Sequence, residues 1–373
     1  MKIALVVPGG VDRSGTHKVI PCLLWLIERL AATDEVHVFA LRQEDKPASW
    51  SLLGAHVHNA GSRPRRLRAL AALVAEHRRA PFDVVHAWWA GGPGAVAALF
   101  KSITWVPMVL TLPGGDVVGH RDIGYGGQLS WRSRAWIRLA LRASDRIVVP
   151  SRSTQEQTRG FGVQSTRIPL GVALDRWALA APRRRRPGDT LRLIHVANLN
   201  RVKDQPTLLA AMRVLKDRGL NFRLDIIGLD TLNGATQRHA AELDLDSHVQ
   251  FRGFMTHAET RKWVEAADIM VVSSRHETVP LVAVEAAIAG VPTVGTAVGI
   301  IADWSPGATR AVPVGNAEEL ANAIAELAAD EQHRLSLAMA AQALAAAEDA
   351  DATAEQTRAL YATLSASGQE HVR

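Results

Sequence analysis

The sequence predicts an α/β protein with two doubly wound, Rossmann-like domains that face each other across a cleft. Three observations predict this fold class. The chain has 373 residues, which is too long for one ordinary core and suits two domains. Short apolar runs alternate with helical patterns along most of the chain, as is typical of parallel βαβ units. A stretch rich in arginine and proline interrupts this alternation near the middle and predicts the boundary between the domains.

The first domain is predicted over residues 1–177. Its first strand, Ile3–Val7, is an apolar run that ends in Pro-Gly-Gly, and a helix over Lys18–Ala31 follows it. The later strands are short and rich in β-branched residues, as strands covered on both faces should be. They are predicted at Val36–Leu41, Val84–Ala87, Val106–Leu112 and Arg146–Val149.

Residues 178–190 are predicted to be a linker, because ALAAPRRRRPGDT combines two prolines with four consecutive arginines. The alternation then restarts, and the second domain is predicted over residues 191–348. A helix over Thr353–Leu364 and a flexible tail over 365–373 end the chain. The elements predicted in the second domain are strands at Leu191–Ala197, Phe222–Gly228, Val249–Gly253, Ile269–Ser273 and Val291–Thr296, and helices at Gln205–Arg218, Ala317–Ala329 and Glu331–Ala347.

The composition predicts a cytoplasmic protein. The N-terminal apolar stretch is too short for a signal peptide, and no window approaches the roughly 18 to 20 apolar residues of a membrane span. The single cysteine, Cys22, cannot form an internal disulfide, which fits a reducing compartment. The formal net charge of +6 arises from clustered arginines, which favour anionic partners.

Two arginine-rich segments also carry an apolar face. The segments 62–79 and Trp131–Arg142 can dock on the anionic inner face of a membrane, or can pack against the sheet as ordinary surface helices. Nucleic acid is not predicted as a partner, because no aromatic residues interleave with the basic ones and no nucleic-acid-binding module is recognisable.

The clearest candidate site follows the strand Ile269–Ser273. Ligands of open α/β sheets bind outside the carboxyl ends of the strands, and here the strand continues into SSRHETVPLVAVEAAIAGVPTVGT. The start of a helix in this string predicts an anion site, through its free N–H groups and its dipole. That helix start is predicted at Thr278, Val279, Pro280 and Leu281.

Two glutamates, separated by seven residues, flank this predicted helix start. Glu285 lies about a turn and a half into the helix. There it can accept hydrogen bonds from a diol such as a ribose. Glu277 lies in the preceding loop and is left to face the part of the ligand beyond the phosphate. A solvated surface carboxylate is a poor description of Glu285, because its helix is otherwise apolar.

The string resembles the donor-binding signature of retaining GT-B glycosyltransferases of the family 4 kind, in which two glutamates with this spacing precede an alanine-rich helix and a Gly-x-Pro-x-Val strand. The resemblance covers nearly the entire chain. It implies sugar transfer from a nucleotide diphosphate sugar, with UDP as the expected nucleotide, to a glycan, lipid-linked or small-molecule acceptor. Other segments that carry it are PGGVDRSG, DVVHAWW, VLTLPGGD, SDRIVVPS, IPLGVALDRW, VQFRGFM and ADIMVVSS.

The resemblance implies an arginine and a lysine that clamp the donor diphosphate after the first strand of the second domain. Lys203 matches the lysine in HVANLNRVKDQ, but Asn198 takes the usual place of the arginine. Arg201, in the same loop, is our hypothesis for the missing charge. A lysine and an arginine beside an anion-binding helix start favour phosphate contact over simple solvation.

Four residues of the first domain are also candidates. Gly15, in the loop PGGVDRSGTHK, matches the family glycine that approaches a phosphate. Asp116 matches the acid of a family motif in which a histidine precedes Gly and Asp, although Pro113 stands here where the histidine is expected. His86 and His120 are acceptor-side candidates, each with the alternative of an ordinary structural or surface histidine.

The resulting prediction has Lys203, Glu277 and Asp116 as catalytic residues, the second domain as donor site and the first as acceptor site. No cofactor or metal ion is expected, because no ligand set at the right spacing stands out. Lys203 and backbone amides would then neutralise the leaving diphosphate. Retention is implied by the resemblance alone. The alternatives left open are a sugar-nucleotide epimerase of the same architecture and a catalytically silent nucleotide-sugar-binding protein.

Overall fold

The computed structural model describes residues 1–186 and 188–370, except for the side chains of residues 365–370. It divides the chain into two compact units. The first unit contains Met1–Leu170 together with the C-terminal helix, and the second contains Gly171–Asp349. Within the part of the chain that is described, no helix is long and apolar enough to cross a membrane.

The described residues of the first unit form an eight-stranded sheet. Its strands are β1 (Lys2–Val7), β2 (Glu35–Ala40), β3 (Ala48–Leu52), β4 (Ala55–Asn59), β5 (Val84–Trp88), β6 (Met108–Thr111), β7 (Arg146–Val149) and β8 (Thr166–Arg167). The strands run in the order β3-β4-β2-β1-β5-β6-β7-β8. Only β3 and β4 pair antiparallel among these strands, so the sheet is doubly wound from β1 outwards, as predicted.

Helices cover both faces of this sheet. They are α1 (Pro21–Ala31), α2 (Arg65–Arg79), α3 (Gly92–Thr104), α4 (Trp131–Ala143) and α5 (Arg152–Arg159). Along β1, Ala4 and Val6 pack in one core cluster with residues of α2, α3 and α4, whereas Ile3, Leu5 and Val7 pack in another with α1. Because alternate residues of a strand point to opposite faces, a strand buried on both faces is apolar throughout.

The described residues of the second unit form a six-stranded parallel sheet. Its strands are β9 (Leu191–Val196), β10 (Phe222–Ile227), β11 (Val249–Gly253), β12 (Ile269–Val272), β13 (Thr293–Thr296) and β14 (Arg310–Val312). They run in the order β11-β10-β9-β12-β13-β14. The strand order reverses between β9 and β12, which confirms a second doubly wound domain. Its helices are α6 (Gln205–Asp217), α7 (Ala235–Glu242), α8 (His257–Glu265), α9 (Leu281–Ile288), α10 (Gly299–Trp304), α11 (Ala317–Ala329) and α12 (Glu331–Ala347).

The last helix, α13 (Ala350–Glu370), belongs to the first unit. The hydroxyl of Thr353 donates to the carbonyl of Pro169 at 2.8 Å, and the side chain of Tyr361 is fully buried. The flexible tail predicted over 365–373 needs correction, because the helix continues through Glu370. Residues 371–373 lie outside the described part of the chain.

The described residues of the arginine-rich segment 178–190, which are all but residue 187, are irregular and belong to the second unit. Arg183 forms an ion pair with the buried carboxylate of Asp268 at 2.5 Å. The backbone N–H of Arg185 donates to Glu331 at 2.8 Å. These contacts of Arg183 and Arg185 fasten the segment to the second unit, contrary to the prediction of an unpacked linker.

Candidate functional site

The carboxyl ends of β9 and β12 are neighbours where the strand order of the second sheet reverses. Hydrogen bonds join the loops that follow them. The N–H of Arg275 donates to the carbonyl of Val202 at 2.8 Å, and the hydroxyl of Ser273 donates to the carbonyl of Lys203 at 2.8 Å. Because ligands of doubly wound sheets bind at such reversals, this pair of loops is the candidate site of the second unit.

Lys203 and Glu277 form an ion pair between these loops. The Nζ of Lys203 donates to Oε1 of Glu277 at 2.5 Å, and the hydroxyl of Ser274 donates to the same oxygen at 2.7 Å. The two charged side chains are 26% and 13% exposed. The Oδ1 of Asn200 accepts the backbone N–H of Lys203 at 3.2 Å and so fixes the turn that carries it. The structure thus joins two of the three predicted catalytic residues and holds an ammonium group where an anion can reach it.

The helix after this loop begins later than predicted. Helix α9 starts at Leu281, so Thr278, Val279 and Pro280 belong to the loop. The proline explains the difference, because the residue before a proline avoids the helical conformation and Pro280 itself is extended, with φ −68° and ψ 95°. Proline also supplies no N–H, so the first free N–H groups of the helix belong to Leu281 and Val282.

Asn198, which replaces the expected arginine, has a structural partner in this unit. Its Oδ1 accepts the backbone N–H of Leu229 at 3.0 Å and so links the loops after β9 and β10. Arg201 is exposed, and its guanidinium makes no hydrogen bond or ion pair with the residues that the structure describes. Arg201 is therefore available for an external anion, as the hypothesis requires.

Glu285 lies on the buried side of α9, and its side chain is 5% exposed. The Nε2 of His257 lies 2.7 Å from Oε1 of Glu285. The ring of His257 packs against the fully buried Trp177, with the ring centroids 4.6 Å apart. The carboxylate is therefore a buried, paired group, which excludes the solvated-carboxylate alternative.

Sequence reasoning missed His257 and Trp177 as parts of this site. His257 is the first residue of α8, and Thr256 and Glu259 form a capping box around that helix start. The pattern Thr-x-x-Glu is a recognisable signal for a helix N-terminus. It could have located α8, but nothing in it indicates that the residue after the cap reaches Glu285.

Asp116 lies in a short 3-10 turn, Gly115–Val117, and is only 6% exposed. Its Oδ1 accepts the backbone N–H of Ala90 at 3.1 Å, while its Oδ2 has no hydrogen-bond partner in the described structure. Burial raises the pKa of this carboxyl to about 7. The carboxyl anchors the turn after β5 through Ala90, and the catalytic role of Asp116 stays a prediction.

We expect Asp116→Asn to change how stability depends on pH. The folded chain keeps the Asp116 proton up to about pH 7, whereas the unfolded chain releases it near pH 4. The folded state therefore loses stability as the pH rises between these values, and the asparagine variant should be spared this loss, which is on the order of 4 kcal/mol over the whole interval. Thermal unfolding at pH 5 and pH 8 measures this. Equal pH dependence of the wild type and the variant would contradict the assignment.

Gly114 and Gly115, before Asp116, allow aromatic side chains to pack closely against the backbone. A Cβ on Gly114 would lie 2.6 Å from Nε1 of Trp89, and a Cβ on Gly115 would lie 2.7 Å from the ring of Tyr125. Tyr125 also pairs with His120, whose N–H donates to its carbonyl at 2.8 Å. The structure therefore brings the half-buried acceptor-side candidate His120 to the same loop as Asp116.

His86, the other acceptor-side candidate, is a core residue. It is 2% exposed, and its two ring nitrogens lie 2.5 Å from the hydroxyl of Tyr361 and 2.7 Å from that of Thr111. Burial lowers its pKa to about 3, so the ring is neutral. These contacts are those of the structural alternative, and the acceptor-side role of His86 stays a prediction.

Gly15 lies farther from the first helix than predicted. Helix α1 begins at Pro21, and Ile20 before it is extended because it precedes a proline. Gly15 has φ +66°, and a Cβ there would meet only the side chain of Leu52 at 3.9 Å. The requirement for glycine at this position is therefore conformational, and the open space beside it leaves room for a ligand.

One cluster of potential metal ligands was not predicted. Glu35, His37 and Glu76 place a ligand atom each within 4.8 Å of one another in the first unit. The ammonium of Lys2 lies 2.7 Å from Glu76 and 3.2 Å from Glu35. A lysine thus already neutralises these carboxylates, and the cluster is better described as an internal ion-pair network.

Two family models match the chain. The model described as glycosyl transferases group 1 matches residues 180–344, in the second unit. The model described as glycosyltransferase family 4 matches residues 23–176, mostly in the first. The two matches do not overlap, and together they include most of the chain.

Curated relatives and solved structures agree with these matches. The chain is 29% identical to a glycogen synthase of Mycobacterium tuberculosis in an alignment of length 299 that covers 78% of this chain and 68% of that protein. It is 28% identical to a D-inositol 3-phosphate glycosyltransferase of Pseudarthrobacter chlorophenolicus in an alignment of length 325 that covers 78% of this chain and 76% of the relative.

The fold is shared with enzymes of known structure. A sucrose-phosphate synthase from Thermosynechococcus elongatus superposes with a TM-score of 0.84 at 21% identity, over 98% of this chain and 100% of that one. The HepE protein of Anabaena, solved in complex with UDP-glucose, superposes with a TM-score of 0.74 at 19% identity, over 97% and 100%. At these identities the likeness concerns the fold.

Proposed function

The chain belongs to the glycosyltransferases of GT-B architecture, and from this premise we propose that it transfers a hexosyl group from a UDP-sugar to an acceptor with retention of anomeric configuration. One observation carries the proposal: Lys203 lies in an ion pair beside the start of α9, the helix that also bears Glu285. Four residues along a helix span about 6 Å, which suits the separation of a diphosphate from its ribose.

Lys203 and the N–H groups of Leu281 and Val282 bind the donor diphosphate in this proposal. Glu277 neutralises Lys203 at 2.5 Å and holds the ammonium in place for the donor. As the bond to the sugar breaks, negative charge grows on the leaving diphosphate. A cation and backbone donors already aimed at that oxygen lower the barrier without reorganising.

Glu285 accepts hydrogen bonds from the ribose hydroxyls. Its Oε1 is engaged by His257 at 2.7 Å, whereas its Oε2 takes no hydrogen bond from the described residues. An ionised carboxylate has acceptor sites on both oxygens, so the histidine and a ribose can bind it together. UDP is favoured as the nucleotide because the HepE protein, of the same fold, was solved with UDP-glucose.

Retention is implied by the family resemblance alone, and the state of Glu277 bears only on the route to it. A carboxylate that accepts hydrogen bonds from both Lys203 and Ser274 is a weak nucleophile. A double displacement through this group is therefore unfavourable, and attack of the acceptor on the face from which the diphosphate leaves is the remaining route to retention. The acceptor binds to the first unit, as a glycan, a lipid-linked sugar or a small molecule. The nucleotide donor and the lone cysteine favour a cytoplasmic location.

Thermal-shift measurements with UDP-, GDP- and ADP-sugars test the nucleotide. A ligand at a hundred times its dissociation constant adds about 2.7 kcal/mol to stability, so the correct donor should raise the melting temperature clearly. We expect UDP-sugars to do so. Proton NMR of the product then gives the anomeric configuration, and an inverted product would reject retention. Donor turnover to an epimer without an acceptor would instead favour the epimerase.

We expect EDTA to leave turnover essentially unchanged. In the proposed site Lys203 carries the charge that a divalent cation supplies in metal-dependent transferases. Initial rates before and after dialysis against EDTA measure this. A loss of activity that manganese or magnesium restores would contradict the assignment of the leaving-group charge to Lys203.

A further inference from the structure

We propose that the second unit binds a phosphorylated small molecule in a cavity that is separate from the candidate donor site. The cavity has a volume of about 320 Å³, which is within the range of small-molecule pockets. Residues of β9, β10, β11 and α8 line it, and we call it the β9–β11 cavity. The inference does not depend on the proposed sugar transfer. The lining residues that carry it are Arg192, Arg223, Asp225, Arg252, Trp263 and Ala266.

Strand pairing brings the charged residues of β9 and β10 to one face of the sheet. Arg192 pairs in register with Arg223, and Ile194 pairs with Asp225. Because alternate residues of a strand point to opposite faces, these four side chains share a face. The leucines between them pack in the core cluster on the other face, together with α6. The two neighbouring strands therefore give the cavity a charged wall.

Charged residues are unusual in the interior strands of a parallel sheet. Both β9 and β10 are interior strands, and the adjacent β12 is apolar and buried throughout. Strands that helices cover on both faces are apolar along their whole length. The charged positions of β9 and β10 therefore indicate that helices leave part of this sheet face uncovered, and the cavity lies there.

The cavity carries more positive than negative charge. Asp225 is the only acid among its described lining residues, and its Oδ1 lies 2.7 Å from Nε of Arg252 and 3.9 Å from Nε of Arg223. Arg192 is exposed and forms no ion pair with any residue that the structure describes. Like charges at paired positions of neighbouring strands repel each other. A bound anion would relieve the repulsion between Arg192 and Arg223.

Arg252 is already positioned for an anion. Its guanidinium lies 4.5 Å from the ring centroid of Trp263, and its Nε donates to Asp225. Its two Nη groups donate to no residue in the described part of the chain. An arginine that is held by an indole and a carboxylate loses little conformational freedom when it binds a ligand.

The chemistry of the cavity fits a phosphate ester. Guanidinium groups match the oxygens of a phosphate group through paired hydrogen bonds. A phosphate ion alone would leave much of the cavity unfilled, and Trp263 and Ala266 supply apolar surface beside the arginines. The Oδ2 of Asp225 takes no hydrogen bond from the described residues, so it can accept hydroxyl groups. The occupant that we infer is therefore a phosphorylated sugar or polyol.

The cavity is distinct from the candidate donor site in the same unit. Arg192 and Arg223 are the second residues of β9 and β10, whereas Lys203 follows the carboxyl end of β9. A strand rises about 3.3 Å per residue, so Arg192 lies about 13 Å from Val196 at the end of β9. A ligand beside these arginines would not take the place of the donor diphosphate.

NMR of the full chain with isotope-labelled tryptophan tests the proposal at the cavity itself. The chain has 10 tryptophans, and Trp263→Phe identifies the indole N–H resonance of Trp263 by its loss. We expect glucose 6-phosphate to shift this resonance saturably and glucose to leave it unshifted. Inorganic phosphate should bind at least about tenfold more weakly, because it lacks the hydroxyl groups that hydrogen-bond to Asp225.

Arg192→Gln combined with Arg223→Gln should weaken the binding of glucose 6-phosphate at least about 30-fold, through two lost contacts with the phosphate. Arg213→Gln, on α6 at the other face of the sheet, is the matched control. Arg213 is 42% exposed, against 49% for Arg223. Lys203→Ala is the control for the donor loop. Both controls should bind as the wild type does, and the remaining indole resonances show whether each variant is folded.

Four results would overturn the proposal. The Trp263 resonance of the wild type could stay unshifted by glucose 6-phosphate, or glucose or inorganic phosphate could bind as tightly as the ester. The double arginine variant could bind normally while folded. Loss of the shift in Lys203→Ala would mean that the resonance reports binding at the donor loop.

Discussion

Lys203→Ala should lower kcat by about 30- to 1000-fold, while KM changes less. Lys203 holds the ammonium that the proposed mechanism aims at the leaving diphosphate, and charge on that group grows towards the transition state. Removing one such preorganised contact costs roughly 2 to 4 kcal/mol of barrier, by analogy with oxyanion-stabilising donors. Steady-state kinetics with the best UDP-sugar measures the loss.

A matched lysine separates this effect from a general loss of stability. Lys216 pairs with Asp244 at 2.6 Å, and its side chain is 24% exposed, against 26% for Lys203. Lys216→Ala should therefore retain wild-type kcat. Full activity of Lys203→Ala, in a folded protein, would remove this loop from the donor site.

Arg201→Ala tests whether Arg201 supplies the charge missing at Asn198. Arg201 is exposed and unpaired among the described residues, so we expect a smaller loss of kcat than for Lys203→Ala. Steady-state kinetics with the same UDP-sugar measures this loss of kcat. Wild-type kinetics of Arg201→Ala beside an inactive Lys203→Ala would show that Lys203 acts alone, and the transferase assignment would stand.

The strands were the most predictable part of the fold. Ile3–Val7 and Ile269–Ser273 are buried on both sides of their sheets and are therefore continuous apolar runs that no surface helix imitates. Helix α3 was missed because its first half is buried all round and its exposed positions include the apolar Leu99 and Ile103, so it lacks the polar face that makes a helical period visible. The hairpin of β3 and β4 was missed because its outer strand alternates without a strong apolar stripe.

Boundaries were harder to predict than elements. The first domain was expected to end at residue 177, but the first unit ends at Leu170, and the segment that contains Trp177 packs in the second unit. Charge misled the prediction as well. Four consecutive arginines suggested a solvated segment, whereas Arg183 pairs with Asp268, which is distant in sequence. Such pairings depend on the fold and leave no local pattern.

The sequence predicted which residues form the candidate site, but it did not predict the contacts of their side chains. Lys203 and Glu277 follow adjacent strands, so the doubly wound topology brings them together. Asp116 was predicted from a motif and His86 from its place at a strand end, but neither signal indicated that both side chains are buried. Sequence spacing reports which elements carry a residue; it does not report how deeply its side chain is buried.

Glu285→Ala should weaken donor binding about 100-fold and leave the fold intact. The carboxylate is buried, and charge-assisted hydrogen bonds to ribose hydroxyls are each worth roughly 1.5 to 3 kcal/mol. Calorimetric titration with UDP gives the affinity without any need for an acceptor. Glu242→Ala, at a helix glutamate that is 71% exposed, is the control and should bind UDP normally. Unchanged affinity in Glu285→Ala would remove Glu285 from the site.

His257→Ala should weaken UDP binding about tenfold, by releasing the carboxylate that the histidine positions. The ring packs against the buried Trp177, with Nε2 towards Oε1 of Glu285. His257→Gln should recover most of the affinity, because an amide N–H can donate to the same oxygen. In the Glu285→Ala background, His257→Ala should have no further effect, since its action passes through that carboxylate. Additive losses in the double variant would mean that His257 contacts the nucleotide itself, and tighter binding by His257→Ala would mean that the histidine competes with the ribose.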